Sequence, residues 1–268
     1  MKDKVVIITG GSSGIGKAMA EEFGKHGSKL FITGRNKADL DVAVDDLKKK
    51  GIEIIGFQAD VSQEEDNKKM AAEALRAYGR IDVLINNAGI TMRALFEEVD
   101  LGVIKKVMDI NFFGVVYATK YCLPEIIKNK GSVVGMSSIA GYRGLPARAG
   151  YSASKFALNG FLEVLRTEML KKEVHVLTAC PGFTKSNTRI RALTKDGSQQ
   201  GDSSRDEGKI MSAEECASHI YQATIKRKKI IVLTTQGKLA VFLNKWFPVF
   251  MDKIVYKELA KEPNSPFK

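Results

Sequence analysis

The chain opens with Val5-Val6-Ile7-Ile8, passes at once into Thr9-Gly10-Gly11-Ser12-Ser13-Gly14-Ile15-Gly16, and continues into Lys17–His26, where Ala18, Met19 and Phe23 have helical spacing. Few folds accommodate that succession. A short β-branched run bounded by turn residues is a buried strand. A glycine loop between such a strand and a helix has physical work to do: one glycine permits the tight turn, one lets backbone approach a pyrophosphate, and one lets the helix pack closely on the strand. The helix N-terminus beyond it offers free N–H groups and the positive end of a dipole. Gly10, Ser12, Ser13, Gly14, Ile15 and Gly16 are therefore candidate phosphate contacts. A plain glycine-rich turn is the alternative, and the strand-loop-helix context weighs against it.

The same alternation runs along the chain. Leu30–Thr33, Ile52–Phe57, Val83–Ile85, Ser132–Met136, His175–Ala179 and Ile230–Leu233 read as strands. Lys37–Lys50, stopped by Gly51, Glu64–Tyr78, Ile104–Ile127 and Tyr151–Lys171 read as helices. Strands separated by helices predict βαβ units and a parallel sheet, with right-handed crossovers putting helices on both faces. The expected fold is α/β: a single doubly wound, Rossmann-like domain over residues 1–237, followed by an apolar and basic extension over 238–268. With 44% apolar residues the chain has enough material for a large core.

The second strand ends Thr33-Gly34-Arg35-Asn36, with no acidic residue between Leu30 and Lys37. In dinucleotide folds an acid about 20 residues after the glycines holds the ribose 2′-hydroxyl, whereas an Arg nearby accommodates a 2′-phosphate. Arg35 therefore points to NADP(H), with Asn36 and Lys37 as helpers. A solvated loop arginine is the plainer alternative.

Further on stand Asn86-Asn87-Ala88-Gly89, Asn111, Ser137-Ser138, Tyr151-Ser152-Ala153-Ser154-Lys155 and Pro181-Gly182. Tyr151 and Lys155 are four apart, so a helix puts them on one face. A phenol ordinarily titrates at about 10, and a neighbouring ammonium favours its ionised form. That suits Tyr151 to acid–base work, with Ser138 donating to an oxygen on which charge develops. Each of these residues has a bland reading: a bridged kink, a turn cap, a helix aromatic, a solvated lysine. Their order, with thirteen residues from Ser138 to Tyr151, defeats those readings jointly.

This ordered set, from Val5 to about Ser186, resembles the short-chain dehydrogenase/reductase family. The resemblance implies an oxidoreductase acting on CH–OH/C=O groups, with Asn111, Ser138, Tyr151 and Lys155 as the catalytic set. It implies that Asn111 holds a water in a proton relay ending at Lys155, and that Lys155 also binds the nicotinamide ribose. Asp60 and Val61 then contact adenine. Asn87, Ala88 and Gly89 lie along the cofactor. Pro181, Gly182, Thr184 and Ser186 wall the nicotinamide. Residues of about 187–209 form a lid over the substrate, and the two long helices provide homodimer or homotetramer faces. No metal is expected.

Between the catalytic serine and tyrosine, Arg143 or Arg148 is a candidate contact for an anionic substrate group, although solvation is the commoner fate of such residues. Lys238–Lys261 mixes Leu239, Phe242, Trp246, Phe247 and Phe250 with Lys238, Lys245, Lys253 and Lys257, and Pro248 should interrupt any helix there. It reads either as an interfacial segment at a membrane surface or as packing on its own domain or a second copy. With Pro181–Asn187 and Asp196-Gly197-Ser198 it resembles the family's membrane-associated reductases of lipid-like ketones, a group that includes 3-ketodihydrosphingosine, acyl-dihydroxyacetone-phosphate and 11-beta-hydroxysteroid enzymes. The expected substrate is a hydrophobic ketone or alcohol. A soluble carbonyl, such as a 3-oxoacyl thioester or sugar, and a non-catalytic NADP-binding sensor are the alternatives.

Forty-two Lys and Arg against 31 Asp and Glu leave a net charge of +11, which favours anionic partners of several kinds. Nucleic acid is not expected, because Lys226-Arg227-Lys228-Lys229 has no interleaved aromatics for stacking. Three scattered cysteines, Cys122, Cys180 and Cys216, argue for a reducing compartment. The first apolar run is too short for a signal peptide and no apolar stretch is long enough to span a bilayer. The expected location is cytoplasmic, with peripheral membrane contact as the open question.

Overall fold

Strand β1 (Val5–Ile8) is buried along its whole length and splits its side chains between two cores: Val6 and Ile8 face one, Ile7 the other. That alternation is the period of a strand covered on both sides. The structure is a computed structural model that describes residues 1–185, 188–201, 210–261, 265 and 267. Among them, the remaining strands are β2 (Lys29–Gly34), β3 (Ile54–Gln58), β4 (Val83–Asn86), β5 (Ser132–Met136), β6 (His175–Cys180) and β7 (Ile230–Val232). All pair in parallel, in the order β3-β2-β1-β4-β5-β6-β7. The chain is a single Rossmann-like α/β domain whose strand order reverses direction between β1 and β4. In such sheets the crevice for ligands opens at that reversal, beyond the carboxyl ends of the strands.

Helices α1 (Gly14–Lys25) and α2 (Lys37–Lys49) cover one face, with α7 (Ala213–Ile225), through Met19, Phe23, Leu40, Leu47 and Ile220. Helices α3 (Glu64–Tyr78), α5 (Gly114–Lys128) and α6 (Ala149–Glu168) cover the other through Met70, Ile126, Leu158 and Leu162. Local chemistry sets their ends. Asn36 Oδ1 accepts from the N–H groups of Ala38 and Asp39 at the start of α2, and Gly79 closes α3 in the left-handed region at φ 70°.

Several boundaries differ from the sequence expectation. The helix expected over 104–127 is two: α4 (Leu101–Met108) and α5, joined by a π-helical turn over Asp109–Phe113. The wider turn directs Asn111 at the backbone of Ile90, and such turns concentrate at functional positions. Strand β3 begins at Ile54 because Ile52 is taken by the end of α2, its N–H donating to Leu47 O and its side chain packed on Gly24. Helix α7 is absent from the sequence reading. Its start is capped by Ser212 Oγ, which accepts from Glu215 N at 3.0 Å.

The residues after β7 form helices α8 (Thr235–Trp246) and α9 (Pro248–Ala260), separated at Phe247 with Pro248 in the first turn of α9. Met251 and Leu259 are buried, while Leu239, Phe242, Trp246, Phe247, Val249 and Phe250 are exposed. Arg143 holds this pair: it donates to Asn244 Oδ1 at 3.2 Å and Pro248 O at 3.4 Å, and it pairs with Asp252. No helix among the described residues is long and apolar enough to cross a membrane.

At the opposite edge of β1, Asp82 is buried, accepting from Val5 N at 3.0 Å and from Lys4 and Arg80.

Candidate active site

The β1–α1 loop and the β4 end are stitched together at the reversal of strand order. Thr9 Oγ1 accepts from Asn87 N at 3.0 Å and Ala88 N at 3.1 Å, and Asn87 Nδ2 donates to Thr9 O and Gly10 O. Gly10 sits at φ +65° and Gly14 at φ +52°, the left-handed region that glycine reaches without penalty. A Cβ on Gly16 would lie 2.1 Å from Gly10 O. Backbone alone fits here, which leaves the N–H groups at the start of α1 accessible.

Above this loop lies a cavity of about 710 Å³. Every cofactor contact expected from the sequence lines it, except Ser186, which lies outside the described residues, and the expected helper Lys37, which pairs with Asp41 instead. Arg35 and Asn36 stand at one end. Ser138, Tyr151 and Lys155 stand at the other, with Pro181, Gly182 and Thr184. A glycine cradle at a helix N-terminus, a cation at the end of the second strand and a cavity of this size fit a nicotinamide dinucleotide. Asp60 also lines the cavity, with Oδ1 accepting from the N–H and hydroxyl of Ser62 at 2.9 and 2.7 Å.

Helix α6 carries Tyr151 and Lys155 one turn apart. Lys155 Nζ lies 5.7 Å from the centre of the Tyr151 ring and donates to Met136 O at 2.8 Å. Burial lowers the Lys155 ammonium to about 8. Burial also raises the Tyr151 phenol, while the Ser138 hydroxyl and the charge of Arg148 pull it back. Tyr151 is thus held as the protonated phenol, the form that donates. Ser138 Oγ accepts from Ala140 N at 3.2 Å, which fixes the hydroxyl at the turn facing Tyr151.

Asn111 is fully buried behind the cavity wall. It accepts from Ile90 N at 2.8 Å and donates to Ile90 O at 2.9 Å and Ser154 Oγ at 3.0 Å. A Cβ on Gly89 would lie 3.2 Å from Asn111 Oδ1 and 3.7 Å from Lys155 Nζ, so Gly89 is what separates those two groups.

Of the two arginines between Ser138 and Tyr151, only Arg148 lines the cavity. Arg143 is a correction to the sequence reading: its guanidinium is engaged by α8 and α9 and lies outside the cavity lining. Within the segment expected as a lid, residues 188–201 are tied to the β4–α4 connection. Leu193 N donates to Thr91 O at 2.9 Å, and Arg93 N donates to Leu193 O at 2.8 Å. Leu193 packs with Met92, Val103 and Val107, and Tyr151 lies against the same cluster.

Sequence reasoning missed Thr9, Ser154 and Cys180. Cys180, at the end of β6, is buried, with its thiol pushed up to about 11 by burial, and the Ser137 and Tyr142 side chains contact it. Cys180 ends β6 and Thr9 directly follows β1, so a small polar residue where an apolar strand stops is the signal these two carry; Ser154, inside α6, is marked only by its place one residue before Lys155.

The family described as short chain dehydrogenase matches residues 4–197. Dehydrogenase/reductase SDR family member 7B of Mus musculus is 35% identical over 271 residues, covering 99% of this chain and 84% of that protein. The protein of the same name from Xenopus tropicalis is 36% identical over 270 residues, covering 98% and 87%. The 11-beta-hydroxysteroid dehydrogenase A of Arachis hypogaea is 31% identical over 273 residues, covering 98% and 78%. Among solved structures, a short chain dehydrogenase/reductase from Burkholderia phymatum in complex with NAD superposes with a TM-score of 0.83, at 25% identity, over 93% of this chain and 95% of that one. An alcohol dehydrogenase from Thermococcus sibiricus complexed with 5-hydroxy-NADP shares the fold, with a TM-score of 0.76 at 22% identity over 87% and 96%.

Proposed function

The chain belongs to the short chain dehydrogenase family, an oxidoreductase family, and on that premise we propose that it is an NADPH-dependent reductase of a hydrophobic or lipid-like ketone, reversible from the alcohol. The observation that carries this reading is one cavity with Arg35 at one end and Ser138, Tyr151 and Lys155 at the other.

A reduced nicotinamide held in this cavity would supply the hydride. The Ser138 hydroxyl donates to the carbonyl oxygen and stabilises the charge that grows on it. The Tyr151 phenol gives its proton to that oxygen. Lys155, fixed on Met136 O, keeps a positive charge beside the phenolate left behind. Asn111 and Ile90 hold the wall behind Gly89, where Asn111 would hold the water of a proton relay ending at Lys155. Arg35 is the partner for a 2′-phosphate and is the reason for preferring NADPH.

The hydrophobic substrate is supported by the exposed apolar face of α8 and α9. Helix α8 packs on the Ile139–Gly141 turn that follows Ser138, and a Cβ on Gly237 would meet Ile139 Cδ1 at 2.8 Å. Phe242, Trp246 and Phe250, flanked by Lys238, Lys245 and Lys253, suit peripheral contact with a lipid surface beside the cavity. Exposed Phe113, Phe156 and Val164 on the helices over 109–168 suit a homodimer or homotetramer, which light scattering reads directly.

The test is a titration with NADPH and NADH, then turnover against steroid, sphingoid, acyl-dihydroxyacetone-phosphate and short soluble ketones, for wild type and Tyr151→Phe. The expected result is NADPH-selective turnover of an apolar ketone, with kcat/KM falling about 10²- to 10⁴-fold in the variant and cofactor affinity retained. Equal use of NADH overturns the reading of Arg35. Cofactor binding without turnover of any ketone overturns the enzyme reading.

A further inference from the structure

One ion pair joins parts of the cavity wall that are far apart in the chain. Arg191, on the segment tied to Thr91 and Arg93, places Nη2 3.9 Å from Asp39 Oδ2 on the first turn of α2. Both residues line the cavity beside Arg35 and Asn36. The two side chains are about half exposed, at 52% and 46%, and a pair so long and so wet holds its partners weakly. The backbone beneath Arg191 is secured instead. Gln200 N donates to Ala192 O and Leu193 N to Thr91 O, both at 2.9 Å. Arg189, two residues earlier, is turned onto Thr184 O. The fold thus brings one particular guanidinium to the end of the cavity that carries Arg35.

The charge balance there gives Arg191 its role. Arg35 and Asp39 bring charges of opposite sign to the cavity lining, and two charges that cancel attract a dianion poorly. Asn36 fixes the Asp39 backbone through its N-cap bond, so the carboxylate extends from an anchored point in the lining. Adding Arg191 restores a net positive charge, and a guanidinium brings several donors suited to phosphate oxygens. We propose that Arg191 is a specificity-determining residue for the ribose 2′-phosphate of the cofactor, reaching across from the 188–201 segment to complete the site that Arg35 begins. The inference rests on the NADPH reading above. It makes the segment over the substrate a reader of the cofactor as well.

Calorimetric titration with 2′,5′-ADP and 5′-AMP tests it, since neither ligand carries a nicotinamide and neither needs turnover. Wild type is expected to bind 2′,5′-ADP more tightly than 5′-AMP. Arg191→Gln should weaken 2′,5′-ADP at least tenfold while leaving 5′-AMP within twofold, and Arg191→Lys should recover part of the loss. Equal losses for both ligands, or none, overturn the proposal. Arg35→Ala separates the two failures. If Arg35→Ala abolishes a wild-type preference that Arg191→Gln leaves intact, only the role of Arg191 falls. If wild type shows no preference, the NADPH reading falls and takes this one with it.

Discussion

The ammonium of Lys155 donates a 2.8 Å hydrogen bond to the carbonyl oxygen of Met136. A single bond to a neutral acceptor is little compensation for burying a charge, and burial lowers Lys155 from 10.5 to about 8. The sign of the effect on folding follows. Between about pH 8 and 10.5 the unfolded chain keeps a proton that the folded protein has released, so stability rises with pH across that window. Below pH 8 the whole cost, about 3 kcal/mol, is present. Lys155→Met removes the charge and the bond together, the latter worth about 1 kcal/mol. The variant should be inactive yet more stable than wild type by about 2 kcal/mol at pH 7, with the gap closing toward pH 10. Urea unfolding at the two pH values checks this; a gap that does not change with pH refutes it.

Asp82 shows the opposite sign. Its burial raises the carboxyl, but bonds from Arg80, Val5 N and Lys4 outweigh that and leave it lowered. Its contribution is present above the ordinary carboxylate range and is lost as pH falls through the lowered value. Asp82→Asn should cost about 3 kcal/mol near neutral pH, because Arg80, Lys4 and the start of β1 lose a shared partner. Thermal melts of wild type and variant should converge in acid.

The 2.1 Å approach of a Gly16 Cβ to Gly10 O leaves no room for alanine. Gly16→Ala should lose about 2 kcal/mol of stability and at least tenfold in dinucleotide affinity, read by fluorescence titration and melting. A variant that binds normally would show that the loop relaxes at little cost.

Arg143→Ala should release α8 and α9. The ion pair, whose Asp252 partner is 65% exposed, is worth about 1 kcal/mol, so the rest of the fold survives. Limited proteolysis should cut near Phe247 several times faster, with dinucleotide affinity unchanged. Unchanged proteolysis would mean that Met251 and Leu259 hold the helices without it.

The sheet was legible because Val5–Ile8, Ser132–Met136 and His175–Cys180 are buried along their whole length and therefore carry apolar stretches, unbroken in the first and interrupted only by small or polar residues in the other two. Tyr151 and Lys155 were legible because a helical turn brings them together from four residues apart. What could not be read depends on distant partners. The π-turn answers to the bond between Asn111 and Ile90. Arg143 finds Asp252 across 109 positions, and Arg191 finds Asp39 only in the folded chain. Helix α7 escaped because its buried face is made of Cys216, Ala217, Ala223 and Thr224 as much as of Ile220, and small residues give a faint apolar rhythm.

The crowding at Gly16 also divides the cavity by how freely each part can change over generations. A side chain at Gly10 or Gly16 would strike backbone, whereas Leu145 and Arg148, between Ser138 and Tyr151, line the cavity with side chains. Descendants of this chain can therefore try out new residues beside the reacting carbon while inheriting the nucleotide cradle intact. Selection for a different ketone would leave its record in Leu145, Arg148 and residues 188–201, and a library aimed at new substrates should be drawn there.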